Sequence, residues 1–383
     1  MSRRNWVFAL VLALIATSFT PALAAAPECL FGGQIRIISG QKSACQVVNG
    51  EAIWFSYKKR AESKLTQYEK TKLKAYNQIR NAAVGKTVNN IELKYELSKS
   101  LPADVRTEYV RQTEQASKLY DQFFTRPVVV NNYFQTEKDA QFIKNHPILK
   151  RDAQSFERFY KAWPKGELVH QNLGVAAWFF KFDGKSEGHT GVLVSSTSSK
   201  AKLSLYSQQV VAHEYFHVVQ DFYKQSRDEV GYEYPQGFDK YYPPIFREGS
   251  ANTIATAISM ESFEDYLLFY QIFLSENKGI YAPKIFSRIN NLQNTIGVLK
   301  DIQSREVNED AHWTAYPVGS LVFEWLIAEY GFAGYKKLIE NQLIGDSFAD
   351  NLKASLGLTL DQLYKAAAPH VLAGFLAAKG STR

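Results

Sequence analysis

Cysteine is almost absent from this chain: its 383 residues include two, Cys29 and Cys45, both near the N-terminus. They can form one disulfide at most. Basic runs are missing too, and no basic patch is interleaved with aromatics, so the formal charge of +7 gives no support for nucleic-acid binding. Internal repeats and low-complexity segments are also lacking. At this length the chain can bury a large core, as two structural units or as one large domain with an appendage. Long hydrophobic runs are scarce. The run from Trp6 to about Thr17 is short for a bilayer span, and LVFEWLIA, Leu321 to Ala328, is interrupted by Glu324 and reads as a buried helix.

The first residues do carry a leader pattern. Arg3 and Arg4 precede the apolar run, and Ala22 and Ala24 follow it at A-x-A spacing. This predicts a secretory signal over residues 1–24, cut after Ala24, and export to a periplasm or the cell exterior. Pro27 and Glu28 stand where a lipid anchor on Cys29 would need small residues. In an exported chain Cys29 and Cys45 are expected to pair and close a small loop, worth ~3 kcal/mol. Loss of Arg3 and Arg4 lowers the net charge from +7 to +5.

Residues 25–125 are expected to hold this loop and a helical region. AIWFSY, Ala52 to Tyr57, reads as a short strand. Helical spacing follows over roughly 58–81 and again over 103–124, where Val105, Tyr109, Ala116 and Tyr120 lie near one stripe. The pattern predicts a helical hairpin or small bundle whose Lys, Glu and Gln faces are solvated. Arg126-Pro127 punctuates the end of this region, and residues 126–383 are expected to form a second domain. Within it VVVNNYF reads as a strand and roughly 138–145 as a helix. LGVAAWFFKFDG and HTGVLVSSTSS then read as two extended runs joined by a Gly-containing turn. From about Phe246 the chain is mostly helical by period. The fold class is therefore α+β, with a small mixed sheet first and helices after it.

One helix carries chemistry. In VVAHEYFHVVQ, Val210 to Gln220, His213 and His217 are four apart, about 40° around a helix axis, so both imidazoles can hold one ion. Glu214 is turned by about 100° from His213, within reach of a water on that ion. Val211, Tyr215, Val218 and Phe222 cluster on the opposite side, towards the core.

An open zinc site needs a third protein ligand. PPIFREGSANTIAT places Glu248 at the start of the next apolar helix, while Glu233, Glu261 and Glu264 are the alternatives. Gly249, costly inside a helix by about 1 kcal/mol against alanine, predicts a close approach of the two helices at the metal. Asn252, one turn after Glu248, reads either as a partner for the outer ring N–H of a ligating histidine or as a surface polar residue.

HEYFH followed by FREGSA resembles the H-E-x-x-H plus E-G-x-A arrangement of gluzincin zinc metallopeptidases in the peptidase MA-like superfamily. VVVNNYF resembles the strand that opens such catalytic domains. GVLVSS resembles the edge strand that pairs with an extended peptide, which makes Gly191, Val192, Leu193 and Val194 candidate substrate contacts. YPVGSLVFEWLIAEYG resembles the tyrosine-x-x-glycine helix, and SFADNLKASLGLTLDQLYKA the C-terminal helix pair. The resemblance covers roughly residues 128–375 and implies a zincin-like fold. It also implies one zinc ion on His213, His217 and Glu248, and hydrolysis of peptides or proteins by a zinc-bound water that Glu214 activates. Tyr316, with Pro317 expected at the first helical position, is the candidate donor to the oxyanion, and His312 competes for that role. Tyr232, Tyr234, Tyr241 and Tyr242 either wall a subsite or simply pack. Two other readings keep the metal: hydrolysis of a non-peptide amide, and a non-catalytic zinc-stabilised binding protein. The intact Glu214 argues against the latter.

Overall fold

A computed structural model of the chain describes residues 33–48, 51–146, 172–181, 189–225, 243–275, 287–302, 309–341 and 347–380. The expected leader, Cys29, Glu233 and the tyrosines of the 232–242 segment lie outside these residues.

The first element is a three-stranded antiparallel sheet of β1 (Ile35–Ile38), β2 (Gln41–Val48) and β3 (Glu51–Ser56), in that order. The strand expected at AIWFSY is present, but the Cys45 segment, expected as a loop, is a strand. A two-residue turn makes this possible: Ser39 (φ 50°) and Gly40 (φ 76°) both adopt positive φ, and such turns follow the twist of the paired strands. Cys45 is buried in β2.

Helix α1 (Gln67–Ala83) opens with a capping box between Thr66 and Glu69. Helix α2 (Ala103–Tyr120) follows, and between them lies β4 (Ile91–Leu97), where a helical hairpin was expected. IELKYEL alternates apolar and charged residues, and its burial alternates in step, the signature of a strand with one wet face. β4 pairs in parallel with β5 (Val128–Thr136), Ile91 opposite Val128. The elements on either side of the boundary expected at residue 126 therefore share one sheet.

That sheet has the order β4-β5-β7-β6, with α3 (Ala140–Asn145) after β5, then β6 (Asn172–Lys181) and β7 (His189–Thr197). It is mixed, because β7 runs parallel to β5 and antiparallel to β6. The expectation that Gly191 to Val194 form an edge strand is corrected here: Gly191 faces Val130 on one side and Phe179 on the other. With both backbone edges paired, β7 has no free row of donors and acceptors for a substrate. Among the described residues the edges are β4 and β6. Sequence alone could not decide this, since strand order depends on long-range pairing.

Helix α4 (Val210–Gln225), which carries HEYFH, packs on this sheet through its apolar side, with Val211, Tyr215, Val218 and Phe222 all buried. At the closest point a Cβ on Gly191 would stand 2.6 Å from Val218 Cγ1, so glycine at that position lets the helix lie flat on the strand.

On the α1 and α2 faces expected to be solvated, Gln67, Lys70, Lys74, Gln78, Glu114 and Lys118 are exposed as expected, but Glu69, Lys72, Glu108 and Gln112 are buried. They bury because they serve the helices above them. Gln112 Oε1 accepts from the Val211 and Ala212 N–H groups at the start of α4, and its Nε2 donates to the Ser207 carbonyl. At the other end of the site, α5 (Pro244–Ser259) leaves carbonyls unpaired in its last turn. Arg80 donates to Ile258 O (2.9 Å), Arg111 to Ser259 O (3.2 Å) and Tyr76 to the Met260 carbonyl just beyond (3.2 Å).

Helix α5 is buried almost throughout, with small Gly, Ala, Ser and Thr residues on every face so that neighbours can close in. Around and after it come α6 (Phe263–Ser275), α7 (Leu292–Asp301), α8 (Glu309–Glu340), α9 (Phe348–Leu356) and α10 (Leu360–Gly380). Helix α8 breaks at Gly331, where φ 71° and ψ 171° end its first segment. The architecture is α+β. Among the described residues no helix is long and apolar enough to cross a membrane.

Candidate metal centre

The four-residue spacing in α4 puts the His213 and His217 rings 4.9 Å apart, centroid to centroid, at 86° to each other. Glu248, in the first turns of α5, meets them. Its Oε2 lies 3.3 Å from His213 Nε2 and 3.4 Å from His217 Nε2. Among the described residues these three form the one cluster able to offer three ligand atoms to a metal ion, and it contains neither Glu261 nor Glu264.

The donor set fits zinc. Tetrahedral ligands held about 2.0–2.2 Å from the ion stand roughly 3.3–3.6 Å from one another, the spacing seen between Glu248 Oε2 and each histidine Nε2. His213 Nε2 and Glu248 Oε2 are also buried without a hydrogen bond of normal geometry, an arrangement that is costly unless something else satisfies them.

Glu248 is poised as an anion. Burial alone would raise its pKa, but the Arg247 guanidinium, with His217 and His213, holds the carboxyl well below the usual range. Arg247 Nε and Nη2 each lie 2.7 Å from Oε1, which leaves Oε2 for the histidines. Glu214 is the opposite case. Burial pushes its carboxyl up to about 8, Glu248 adds to the rise, and His213 and Arg247 oppose it. A dication in the cluster would also act downward on it.

Tyr316 stacks on His213, with centroids 5.6 Å apart and planes 21° from parallel. Burial, then Glu248 and Glu214, raise its phenol well above 10, so it stays a proton donor across the working range. Its setting differs from the expected one. Helix α8 starts at Glu309, so Tyr316 lies inside it, and Pro317 is an interior proline instead of the first helical residue. The side chain of His312 is not described.

The close approach predicted at Gly249 exists, but with a different helix. A Cβ there would lie 2.5 Å from the Gly319 carbonyl carbon, so the contact joins α5 to α8, not to α4. This glycine pair is what brings Tyr316 beside Glu248. Because both sides are backbone, neither yields cheaply, and Gly249→Ala should destabilise the fold by about 1–3 kcal/mol. A lower denaturation midpoint at unchanged slope would be the readout; an unchanged midpoint would show that the helices separate freely.

Asn252 does not reach a histidine. Its Nδ2 donates to the Tyr316 carbonyl (3.3 Å), because the tight α5–α8 contact points it at α8. The outer nitrogen of His217 is met instead by Gln220 Oε1 at 2.6 Å, a residue the sequence reading passed over. Its signal was present: Gln220 lies three residues after His217 on the same helix, where side chains three apart are neighbours.

Gly191 to Val194 lie in β7, under α4, with both backbone edges paired. The pairing of Cys29 with Cys45 falls outside the described residues. No protein family, characterised protein or solved structure matches the chain.

Proposed function

We propose that the chain is an exported, gluzincin-like zinc metallopeptidase. The convergence of His213 Nε2 and His217 Nε2 on a single oxygen of Glu248 carries this reading, beside a glutamate that no ligand role requires. A zinc ion held by these three would polarise a scissile carbonyl and make a water acidic near neutral pH. Glu214 then takes the proton from the attacking water and passes it to the leaving amine. The Tyr316 hydroxyl donates to the oxygen on which charge develops. Asn252 helps by tying the Tyr316 backbone to α5. β6, the antiparallel strand at the end of the sheet order and packed against α4, replaces β7 as the edge for an extended peptide.

The test measures bound zinc and cleavage of an unstructured peptide library by wild type and Glu248→Ala. Wild type should hold one zinc and cleave, with activity lost to a chelator and restored by zinc. Glu248→Ala should retain little zinc and cleave nothing. Full zinc in Glu248→Ala would remove Glu248 from the ligand set. Wild type with one zinc and no cleavage at any pH would end the peptidase reading and favour a non-peptide amide.

A further inference from the structure

Gln220 is buried in α4, and its carboxamide spans the two helices of the centre. Oε1 lies 2.6 Å from His217 Nδ1, while Nε2 lies 3.1 Å from the Arg247 carbonyl and 3.0 Å from Ser250 Oγ. The orientation of the amide follows from its partners. A carbonyl only accepts, so the NH2 group faces Arg247 and the amide oxygen faces the imidazole. That oxygen can also only accept. His217 must therefore carry a proton on Nδ1, which makes Nε2, 3.4 Å from Glu248 Oε2, the ring nitrogen that can meet an ion.

The same amide ties α4 to a chosen point on α5. Arg247, whose carbonyl it binds, is the residue whose side chain grips Glu248 Oε1. One end of Gln220 thus orients the ring of the second histidine through its Nδ1–H, and the other sets the turn that presents the glutamate. His213 has no comparable device: its Nδ1 is buried without a hydrogen bond among the described residues, and its ring is held by stacking on Tyr316.

We propose that Gln220 is a positioning residue for a divalent cation: it locks His217 in the Nδ1–H tautomer and sets the first turns of α5 against α4, so that His217 Nε2 and Glu248 Oε2 are aligned before the ion arrives. This rests on the reading of the cluster as a zinc site. Outer partners of this kind typically change metal affinity by about 10–100-fold when removed.

Two measurements on wild type, Gln220→Met and Gln220→Leu test it. The first is the 15N spectrum of the histidine rings in metal-free protein. The second is zinc affinity by competition with a chromophoric chelator. Wild type should show one His217 tautomer, protonated at Nδ1. Both variants should show a tautomer mixture and bind zinc about 10–100-fold more weakly. Gln220→Met, close in length to glutamine, supplies the result if the leucine variant does not fold. A single unchanged tautomer together with unchanged zinc affinity in a folded variant would overturn the role of Gln220. A wild type with no zinc affinity would instead overturn the metal reading on which it rests.

Discussion

A Glu214→Gln protein should bind zinc as wild type does and lose peptide hydrolysis by about 10²–10⁴-fold, the contribution expected of a positioned general base. The carboxamide keeps the size of the side chain but has no basic oxygen pair with which to take and return a proton. Metal should stay, because the convergence of ligands involves His213, His217 and Glu248 and not Glu214. Metal analysis and steady-state rates on one preparation separate the two roles. Loss of zinc in this variant would make Glu214 a ligand or a structural support. Undiminished hydrolysis would assign the proton transfer elsewhere.

Glu324→Ala should destabilise the protein by about 3–5 kcal/mol, the penalty for leaving a buried charge without its partner. Glu324 sits about two turns before the break in α8, and its carboxylate has no exposure to solvent. Lys72 Nζ of α1, equally inaccessible, donates to Oε1 at 2.7 Å and lies 3.2 Å from the Tyr270 ring centroid. Tyr266 donates to the same oxygen at 2.5 Å, and His370 Nε2 meets Oε2 at 2.7 Å. Four helices, α1, α6, α8 and α10, are thus joined at one carboxylate. Burial lowers Lys72 to about 8, with Glu324 opposing the fall, so the lysine is still mostly charged at neutral pH and would be orphaned by the substitution. Lys72→Met/Glu324→Leu removes both charges and should be less destabilising than Glu324→Ala. A double variant no more stable than the single one would show that the orphaned lysine is not the source of the penalty.

The same cluster makes stability pH-dependent, with a fixed sign. Burial lowers His370 below its usual 6.5, with Glu324 opposing, so the unfolded chain takes up this proton first and stability falls as the pH drops below 6.5. Burial alone would raise the Glu324 carboxyl, but Lys72 and His370 hold it below 4.5. Its contribution is present above 4.5 and is lost as the pH falls through the lowered value. Glu214, raised to about 8, acts with the opposite sign between 8 and 4.5, so the cluster is read by difference: relative to His370→Gln, wild type should lose stability, measured as the denaturation midpoint, from about pH 6.5 downward.

The parts of this protein that sequence alone made legible are those set by local spacing. A period of four aligns His213 with His217 on any α-helix, and a period near 3.6 identifies the buried stripes Val211, Tyr215, Val218, Phe222 and Val105, Tyr109, Ala116, Tyr120. Proline, glycine and alternation marked most of the strands and helices. β4 escaped because a short strand with three charged outward positions, set between two helices, looks like a polar linker until its partner β5 is in place.

Tertiary structure alone decided everything that depends on which distant segments meet. The strand order placed β7 inside the sheet and β6 at its edge. The Gly249–Gly319 contact set Tyr316 over His213 and turned Asn252 away from the histidines. The partner of Glu324 proved to be Lys72, 252 positions away in the chain, Gln112 turned from an expected surface residue into a cap at the start of α4, and Arg80 caps the end of α5. None of these has a sequence period, because each is fixed by close packing between elements whose separation along the chain is arbitrary, and by the need of every buried polar group to find a partner there.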